Sequence, residues 1–355
     1  MFKVGYVPYS QDLQHPADRR RLAAWAKGKK AVLNLVDPTK SDILVLSNAA
    51  NFGHWLKLAK LPVILDLVDG YLGQNPSFLE DFARNVVRSI KGTSNFKWIT
   101  YTRHLAYACK KSDAIVVASQ EQKDLLQVYN KNIYVVLDDH TEVAEAVARY
   151  STSNASPKRD AIFWEGFGYT LKHFEFISKE LDGFLDETGW EMNLVTVKEF
   201  ARWGGYIGKI KTEKLVKKLF PLSWTSIRIV PWSLQNLATC ANISKFGIIP
   251  IDPSDKFAMM KSENKLMSMW SLGLPVLFSN IPSYAKLASR TSSEAACINR
   301  NEWRDKLNFF SSDPDALENL QVAGQAYVLA THTNEALINS WDSLLLDAWT
   351  KGSNR

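Results

Sequence analysis

The chain alternates, twice over, between short runs that are almost entirely apolar and longer stretches whose apolar residues recur at helical spacing. In the first half the apolar runs fall at residues 3–7, 31–36, 43–47, 63–67, 114–118 and 133–137. Helix-period segments lie between them at 17–26, 51–58, 76–90, 98–110 and 121–128. Strands that are apolar on both faces belong in a parallel sheet covered on both sides by crossover helices. The pattern then breaks at Ser151-Thr152-Ser153-Asn154-Ala155-Ser156-Pro157, which is polar, small and closed by a proline, as in a linker. It restarts with strand candidates at 161–164, 193–197, 226–230, 247–251, 276–279 and 296–298. Helix candidates in this half are 170–181, 213–219, 234–240, 264–272, 284–287 and 301–309, and residues 315–349 are helical in pattern almost throughout.

This organisation predicts an α/β protein of two Rossmann-like domains facing across a cleft. Residues 1–150 form the first domain, 151–160 the linker and 161–340 the second domain, with 341–355 a helix end and tail. The length of 355 residues suits two domains, and 46% hydrophobic with 23% charged residues is the balance of a globular chain. In such sheets ligands sit outside the carboxyl ends of the strands.

The net charge is +6. Its densest runs are Arg19-Arg20-Arg21, residues 27–30 and residues 209–218. None has the interleaved aromatics of an RNA-binding module, so no nucleic-acid partner is expected. Solvated helix faces are the plain reading of these runs, and peripheral contact with an anionic membrane surface is the functional one. Cys109, Cys240 and Cys297 lie far apart with no metal-ligand spacing, which points to a reducing compartment and no disulfide framework. The N-terminus carries no signal-peptide core, and no apolar run reaches the roughly 18 residues of a membrane span. A cytoplasmic location, at most peripheral to the inner membrane face, is expected.

The stretch from Phe246 to Tyr284 carries the most chemistry. An apolar strand at 247–251 runs into a polar loop ending in Lys261-Ser262-Glu263-Asn264-Lys265. A helix begins there, closes at Gly273, and a new strand starts at Pro275. Free N–H groups and the helix dipole at such a helix start favour a phosphate. Ser262 and Asn264 can cap the helix or donate to phosphate oxygens, and Lys261 or Lys265 can add a point charge. A capped surface helix with flanking lysines satisfies the same spacing without any ligand.

The whole pattern resembles the C-terminal domain of GT-B glycosyltransferases, many of which carry a segment like K-S-x-N-K-L followed by G-x-P-V. Here it stands as Lys261-Ser262-Glu263-Asn264-Lys265-Leu266 and Gly273-Leu274-Pro275-Val276. The resemblance implies that this strand, loop and helix hold a nucleotide diphosphate, with a helix glutamate gripping the ribose. Ser268 stands at the glutamate position. Upstream, Ile162-Phe163-Trp164-Glu165-Gly166 is similar to the domain's first strand, with Gly166 facing the donor. Lys172 stands at the spacing of a diphosphate-binding lysine, whereas Phe167 stands where an arginine is common. Ile229-Val230-Pro231-Trp232-Ser233 resembles the loop before the base-binding helix, which makes Trp232 a candidate to stack on the nucleobase.

In the first half, Asp12-Leu13-Gln14-His15-Pro16-Ala17-Asp18-Arg19-Arg20 resembles the start of some bacterial polysaccharide-type transferases. Ser112-Asp113-Ala114, with Ser119 and Gln122 following, looks like a late strand of the same domains. The resemblance implies a nucleotide-sugar donor, a glycan, lipid-linked or protein acceptor, and no metal or other cofactor. An inverting transfer needs a general base. Asp69, Asp12 and His15 are the candidates, all at expected strand ends. Asp66 has a plainer alternative, pairing with a buried arginine, and Asp18 is a helix-start charge. Two other functions fit the same fold: a sugar-nucleotide epimerase or hydrolase, and a non-catalytic partner or binding subunit.

Overall fold

The structure is a computed structural model that describes residues 3–74, 76–94, 99–150, 157–201 and 208–353. The chain divides into two compact units. Unit 1 comprises Met1–Asp139, Met260–Ser262 and His332–Arg355, and unit 2 comprises His140–Met259 and Glu263–Thr331.

Unit 1 runs β1 (Val4–Val7), α1 (Pro16–Arg19), α2 (Leu22–Lys29), β2 (Leu33–Asn34), β3 (Ile43–Ser47), α3 (Phe52–Leu58), β4 (Val63–Leu67), α4 (Phe78–Ile90), α5 (Tyr101–Lys111), β5 (Ala114–Val117), α6 (Gln120–Leu126) and β6 (Ile133–Val135). Its six strands pair in parallel in the order β2-β1-β3-β4-β5-β6. Successive side chains of a strand point to opposite faces. Ile43 and Val45 accordingly enter one apolar cluster, and Leu44 and Leu46 the other. Local sequence sets the helix starts: the side chains of Asn51, Ser77, Thr100 and Ser119 cap α3, α4, α5 and α6, and Glu80 completes a capping box on α4.

Unit 2 runs α7 (Thr141–Tyr150), β7 (Arg159–Glu165), a 3-10 stretch (Gly168–Phe176), α8 (Ser178–Thr188), β8 (Glu191–Thr196), β9 (Glu199–Ala201), β10 (Lys209–Lys211), α9 (Thr212–Leu219), β11 (Ile227–Pro231), α10 (Leu234–Ile243), β12 (Ser244–Ile249), α11 (Asn264–Ser271), β13 (Val276–Ser279), α12 (Pro282–Ala288), β14 (Ala296–Cys297), α13 (Arg300–Ser312) and α14 (Pro314–Thr331). Six strands form a parallel sheet in the order β11-β8-β7-β12-β13-β14, and β9 and β10 make a separate antiparallel pair. The first strand, β7, is central. The chain fills one side of it with β8 and β11, then crosses to the other with β12. The topological switch point therefore lies between β7 and β12, and in unit 1 between β1 and β3.

Several expectations are corrected. The helix expected over 17–26 breaks between α1 and α2, because Arg21 leaves the helical region (φ −126°, ψ −111°) and turns inward. The strand expected over 31–36 shrinks to two residues at the sheet edge, with Val32 and Val36 exposed. The helix expected from residue 170 is a 3-10 stretch followed by α8. Neither α7 nor the β9–β10 pair was foreseen, and α7 belongs to unit 2 through the buried Val143. Of the linker expected over 151–160, residues 151–156 lie outside the described residues, as does the expected helix start at Trp98, and its last two residues, Arg159 and Asp160, already belong to β7.

The C-terminal segment also departs from the expected division. Residues 332–355 belong to unit 1, not to a second domain running to 340. Their helix, α15 (Asn334–Ser353), buries Leu337, Trp341, Leu344, Leu345 and Ala348 in the core of unit 1. Asp342 accepts from Trp25 Nε1 at 2.8 Å and pairs with Lys29 at 2.8 Å. An apolar stripe at helical spacing shows that a helix buries one face, but not which sheet receives it.

Candidate functional site

In unit 2 the carboxyl ends of β7 and β12 bring together part of the expected donor set. The Lys265 ammonium lies 4.7 Å from the centroid of the buried Trp164 ring, a cation–π contact that holds it against the end of β7. A Cβ placed on Gly166 would meet Lys265 Nζ at 2.8 Å and the Trp164 ring at 2.9 Å, so this close approach requires glycine. The turn after β7 is pinned from the next strand, since Thr196 Oγ1 donates to the Gly166 carbonyl at 2.6 Å. The Thr196 carbonyl accepts from Trp232 N at 3.1 Å. Trp232 thus stands at the carboxyl end of the edge strand β11, with its side chain partly exposed. Sequence reasoning missed Thr196, whose hydroxyl and backbone carbonyl together tie the ends of three strands.

Lys172, on the 3-10 stretch, forms an ion pair with Asp255 at 2.6 Å. Asp255 lies in the loop after β12 and accepts backbone N–H groups of Phe257 and Ala258. Burial pushes the Asp255 carboxyl up, but the Lys172 ammonium and the Ala258 N–H outweigh it and hold the carboxyl below its ordinary range. Lys172 is exposed, so the pair exchanges readily with a competing anion.

Helix α11 starts at Asn264. Its N-cap is Glu263, with helical backbone (φ −72°, ψ −1°), and the Glu263 side chain makes no capping hydrogen bond. The expectation that Ser262 or Asn264 caps this helix is thereby corrected: Asn264 is already its first residue, and Ser262 lies a step before the cap. The helix ends where the sequence indicated, with Gly273 in the left-handed region (φ 74°). Ser268 is 5% exposed, and its Oγ lies 3.2 Å from His140 Nδ1. The hydroxyl expected at the ribose therefore has a protein partner, supplied by a residue 128 positions away.

Lys261 and Ser262 fall in unit 1. Both Ser119 Oγ and Gln122 Nε2 donate to the Met260 carbonyl, each at 3.1 Å, which anchors this short segment beside β5 and α6. Asp69 follows β4 and is half-buried. Burial pushes its carboxyl up to about 6, while the Lys261 charge opposes the rise and Asp138 adds to it. Of the three base candidates, Asp69 alone has its proton affinity raised towards neutrality. Asp12 is exposed and accepts from Gln14 N at 3.0 Å, and that N–H holds its carboxyl below the ordinary range. His15 caps α1, its Nδ1 accepting from Ala17 N at 3.2 Å, and its ring stacks on Tyr9 at 4.8 Å. Burial lowers the proton affinity of His15. Leu13, in the same loop, takes a left-handed backbone (φ 58°), a conformation that costs a non-glycine residue energy.

Below these groups lies a buried charged network. Arg21 is fully buried; its Nη2 donates to Asp66 Oδ1 at 2.8 Å, and its Nη1 to Asp138 Oδ1 and to the Val136 carbonyl, each at 2.8 Å. Asp66 thus has the buried arginine considered for it, whereas the solvated reading of Arg19-Arg20-Arg21 is wrong for Arg21. Asp18, also buried, accepts from Tyr6 Oη at 2.5 Å and from Tyr9 N and Ser10 N at 2.9 Å. These carboxylates fix the loops after β1, β4 and β6, and none is placed to act as a base.

No protein-family model and no curated protein matches the chain. Solved structures do match it at low identity, and those compared are GT-B glycosyltransferases. TarM aligns with TM-score 0.56 and 8% identity over 85% of this chain and 54% of its own. The chain thus spans about half the length of that protein. Sucrose-phosphate synthase from Thermosynechococcus elongatus aligns with TM-score 0.55 and 12% identity over 98% of this chain and 81% of its own. An alpha-glucosyltransferase (AGT) in complex with UDP aligns with TM-score 0.54 and 12% identity over 90% of this chain and 84% of its own. The chain has the GT-B fold.

Proposed function

We propose that the chain is a glycosyltransferase that moves a sugar from a nucleotide-sugar to a glycan, lipid-linked or protein acceptor. The observation that carries this reading is the Lys265 ammonium fixed beside Gly166 at the switch point of unit 2, in the first turn of helix α11. Fixed cations and free N–H groups stabilise a leaving diphosphate without reorganisation during the reaction. Lys265, Lys172 and the start of α11 at Asn264 are assigned to the diphosphate, and Trp232 to the base. On this reading the leaving group needs no metal. The UDP held by the alpha-glucosyltransferase of the same fold supports a nucleotide ligand here. The enzyme works facing the cytoplasm, peripheral to the membrane where its acceptor is lipid-linked.

The test is a thermal-shift series with UDP, GDP, CMP, ADP and dTDP. A ligand that binds only the native state stabilises it by about 2.7 kcal/mol at a hundred times its dissociation constant, a rise of several degrees. One nucleotide raising the midpoint is the expected result, and no shift with any of them rejects the reading. A second reading rests on Ser268, which replaces a carboxylate and is engaged by His140, and on Phe167 in place of an arginine. These favour a partner subunit that binds nucleotide without turnover, so a shift unaccompanied by transfer or hydrolysis would support it.

Asp69 is assigned as the base of the transfer. Only its ionised form can accept a proton, so kcat/KM should rise with pH through an inflection near pH 6, set by the Asp69 carboxyl at about 6. The same residue should cost stability. The native carboxyl keeps its proton to about pH 6, but the unfolded one only to the ordinary carboxylate range. Folding therefore takes up a proton in that window, and stability falls as pH rises through it. Asp69→Asn should abolish turnover, raise the melting midpoint above about pH 6 and leave it unchanged below about pH 4. A variant that keeps full turnover removes Asp69 from the mechanism.

A further inference from the structure

A cavity of about 820 Å³ opens on the outer side of the unit 2 sheet, against the edge strand β11. β8 separates that strand from β7, so the cavity is not the switch-point site. Its apolar lining is Val216, Trp224, Ile227 and Ile229. Its polar lining is Thr225 with two lysines, Lys198 and Lys211, and two glutamates, Glu199 and Glu213. The glutamates are already neutralised, Glu199 by Lys209 and Glu213 by Lys217 at 2.7 Å. Lys198, Lys209, Lys211 and Lys217 surround Glu199 and Glu213, so the cavity keeps a positive excess. The rim extends that excess. α9 buries Thr212, Val216 and Leu219 and exposes Lys214, Lys217 and Lys218. Trp224, 39% exposed, lies under the Lys217 ammonium at 4.2 Å from its ring centroid. An apolar floor beneath a cationic rim matches neither a neutral glycan nor a small inorganic anion. It matches a molecule with an apolar chain and an anionic head.

We propose that this cavity is a second binding site, for a phosphate-bearing lipid whose headgroup meets Lys198 and Lys211 and whose chain lies on Val216, Trp224, Ile227 and Ile229. The site is independent of the nucleotide site and of the transferase reading. It gives the basic run at 209–218 a ligand.

The test is co-sedimentation of the full chain with vesicles of phosphatidylcholine alone and of phosphatidylcholine mixed equally with phosphatidylglycerol. Binding to the anionic vesicles only is expected. The Lys198→Ala/Lys211→Ala variant should bind roughly 30-fold more weakly, the factor that two basic side chains confer at an anionic surface. Thr225→Trp, which puts a bulky ring into the cavity without altering charge, should weaken binding at least tenfold; Thr225→Phe obstructs the same wall should the tryptophan variant melt early. Equal binding to both vesicles, or none to either, overturns the proposal. So does a Thr225→Trp variant that folds and binds like the parent, since the basic face would then adsorb by charge alone. Glycerol phosphate competing as well as short-chain phosphatidylglycerol overturns the lipid assignment and leaves a site for a soluble phosphate.

Discussion

Arg21→Ala is expected to lower the stability of the protein by about 3–5 kcal/mol, the range for breaking a buried ion pair from one side. The guanidinium is the buried counter-charge of both Asp66 and Asp138 and also satisfies the Val136 carbonyl. Removing it takes the arginine counter-charge from two carboxylates and a donor from the Val136 carbonyl, and breaks the tie that turns the chain between α1 and α2. A fall in melting midpoint on the order of 10 °C should result. The loss should depend on pH. Burial already pushes the Asp66 carboxyl up, with Arg21 the main opposing influence, so without Arg21 its proton affinity rises further. At pH below the ordinary carboxylate range Asp66 is protonated in both folded and unfolded chains, and its share of the penalty vanishes; above its native value the penalty is complete. The measurement is a pair of denaturant titrations, of parent and variant, at acidic and neutral pH. A variant as stable as the parent at neutral pH would show that this network holds nothing together.

Lys265→Ala is expected to weaken nucleotide binding roughly tenfold to a hundredfold, the loss of one charge-assisted hydrogen bond to a phosphate. The cation–π pair with Trp164 given up in the free protein accounts for only about 0.5–1 kcal/mol of stability. Gly166→Ala should act on the same ligand by a different route. Its Cβ would displace Lys265 Nζ and press on the buried Trp164 ring, so it moves the cation without deleting it. Lys172→Ala should weaken binding less, since Lys172 is exposed and must first leave Asp255. Calorimetric titration with the nucleotide that shifts the melting midpoint gives all three constants. An unchanged constant for Lys265→Ala would remove the diphosphate assignment at the switch point, whatever the other two variants do.

The candidate site was legible in the sequence where it depends on neighbours in the chain. Gly273 marks the end of α11 because a left-handed residue must follow a helix there. Gly166 and Lys265 were readable from a spaced motif, and the structure places them side by side. Ser268 was readable as a position but not as an environment, because its partner His140 arrives from another helix. Thr196 and Asp255 left no sequence signal, since a threonine at a strand end and an aspartate in a loop are ordinary choices at such positions.

The sequence by itself determined the local elements: short, almost wholly apolar strands, helix-period segments between them, and the strand at Val276–Ser279 to the residue. Only the tertiary structure decided which of them meet. Asp342 in α15 meets Trp25 across 317 residues, and Arg21 meets Asp66 across 45 and Asp138 across 117. An arginine among arginines reads as solvated until two strand ends deliver carboxylates to it. An amphipathic helix at the end of a chain reads the same whichever sheet it covers. The physical reason is that a helix or turn is fixed by bonds spanning a few residues, whereas burial of a charge and the choice of an apolar partner depend on groups brought together only by the fold.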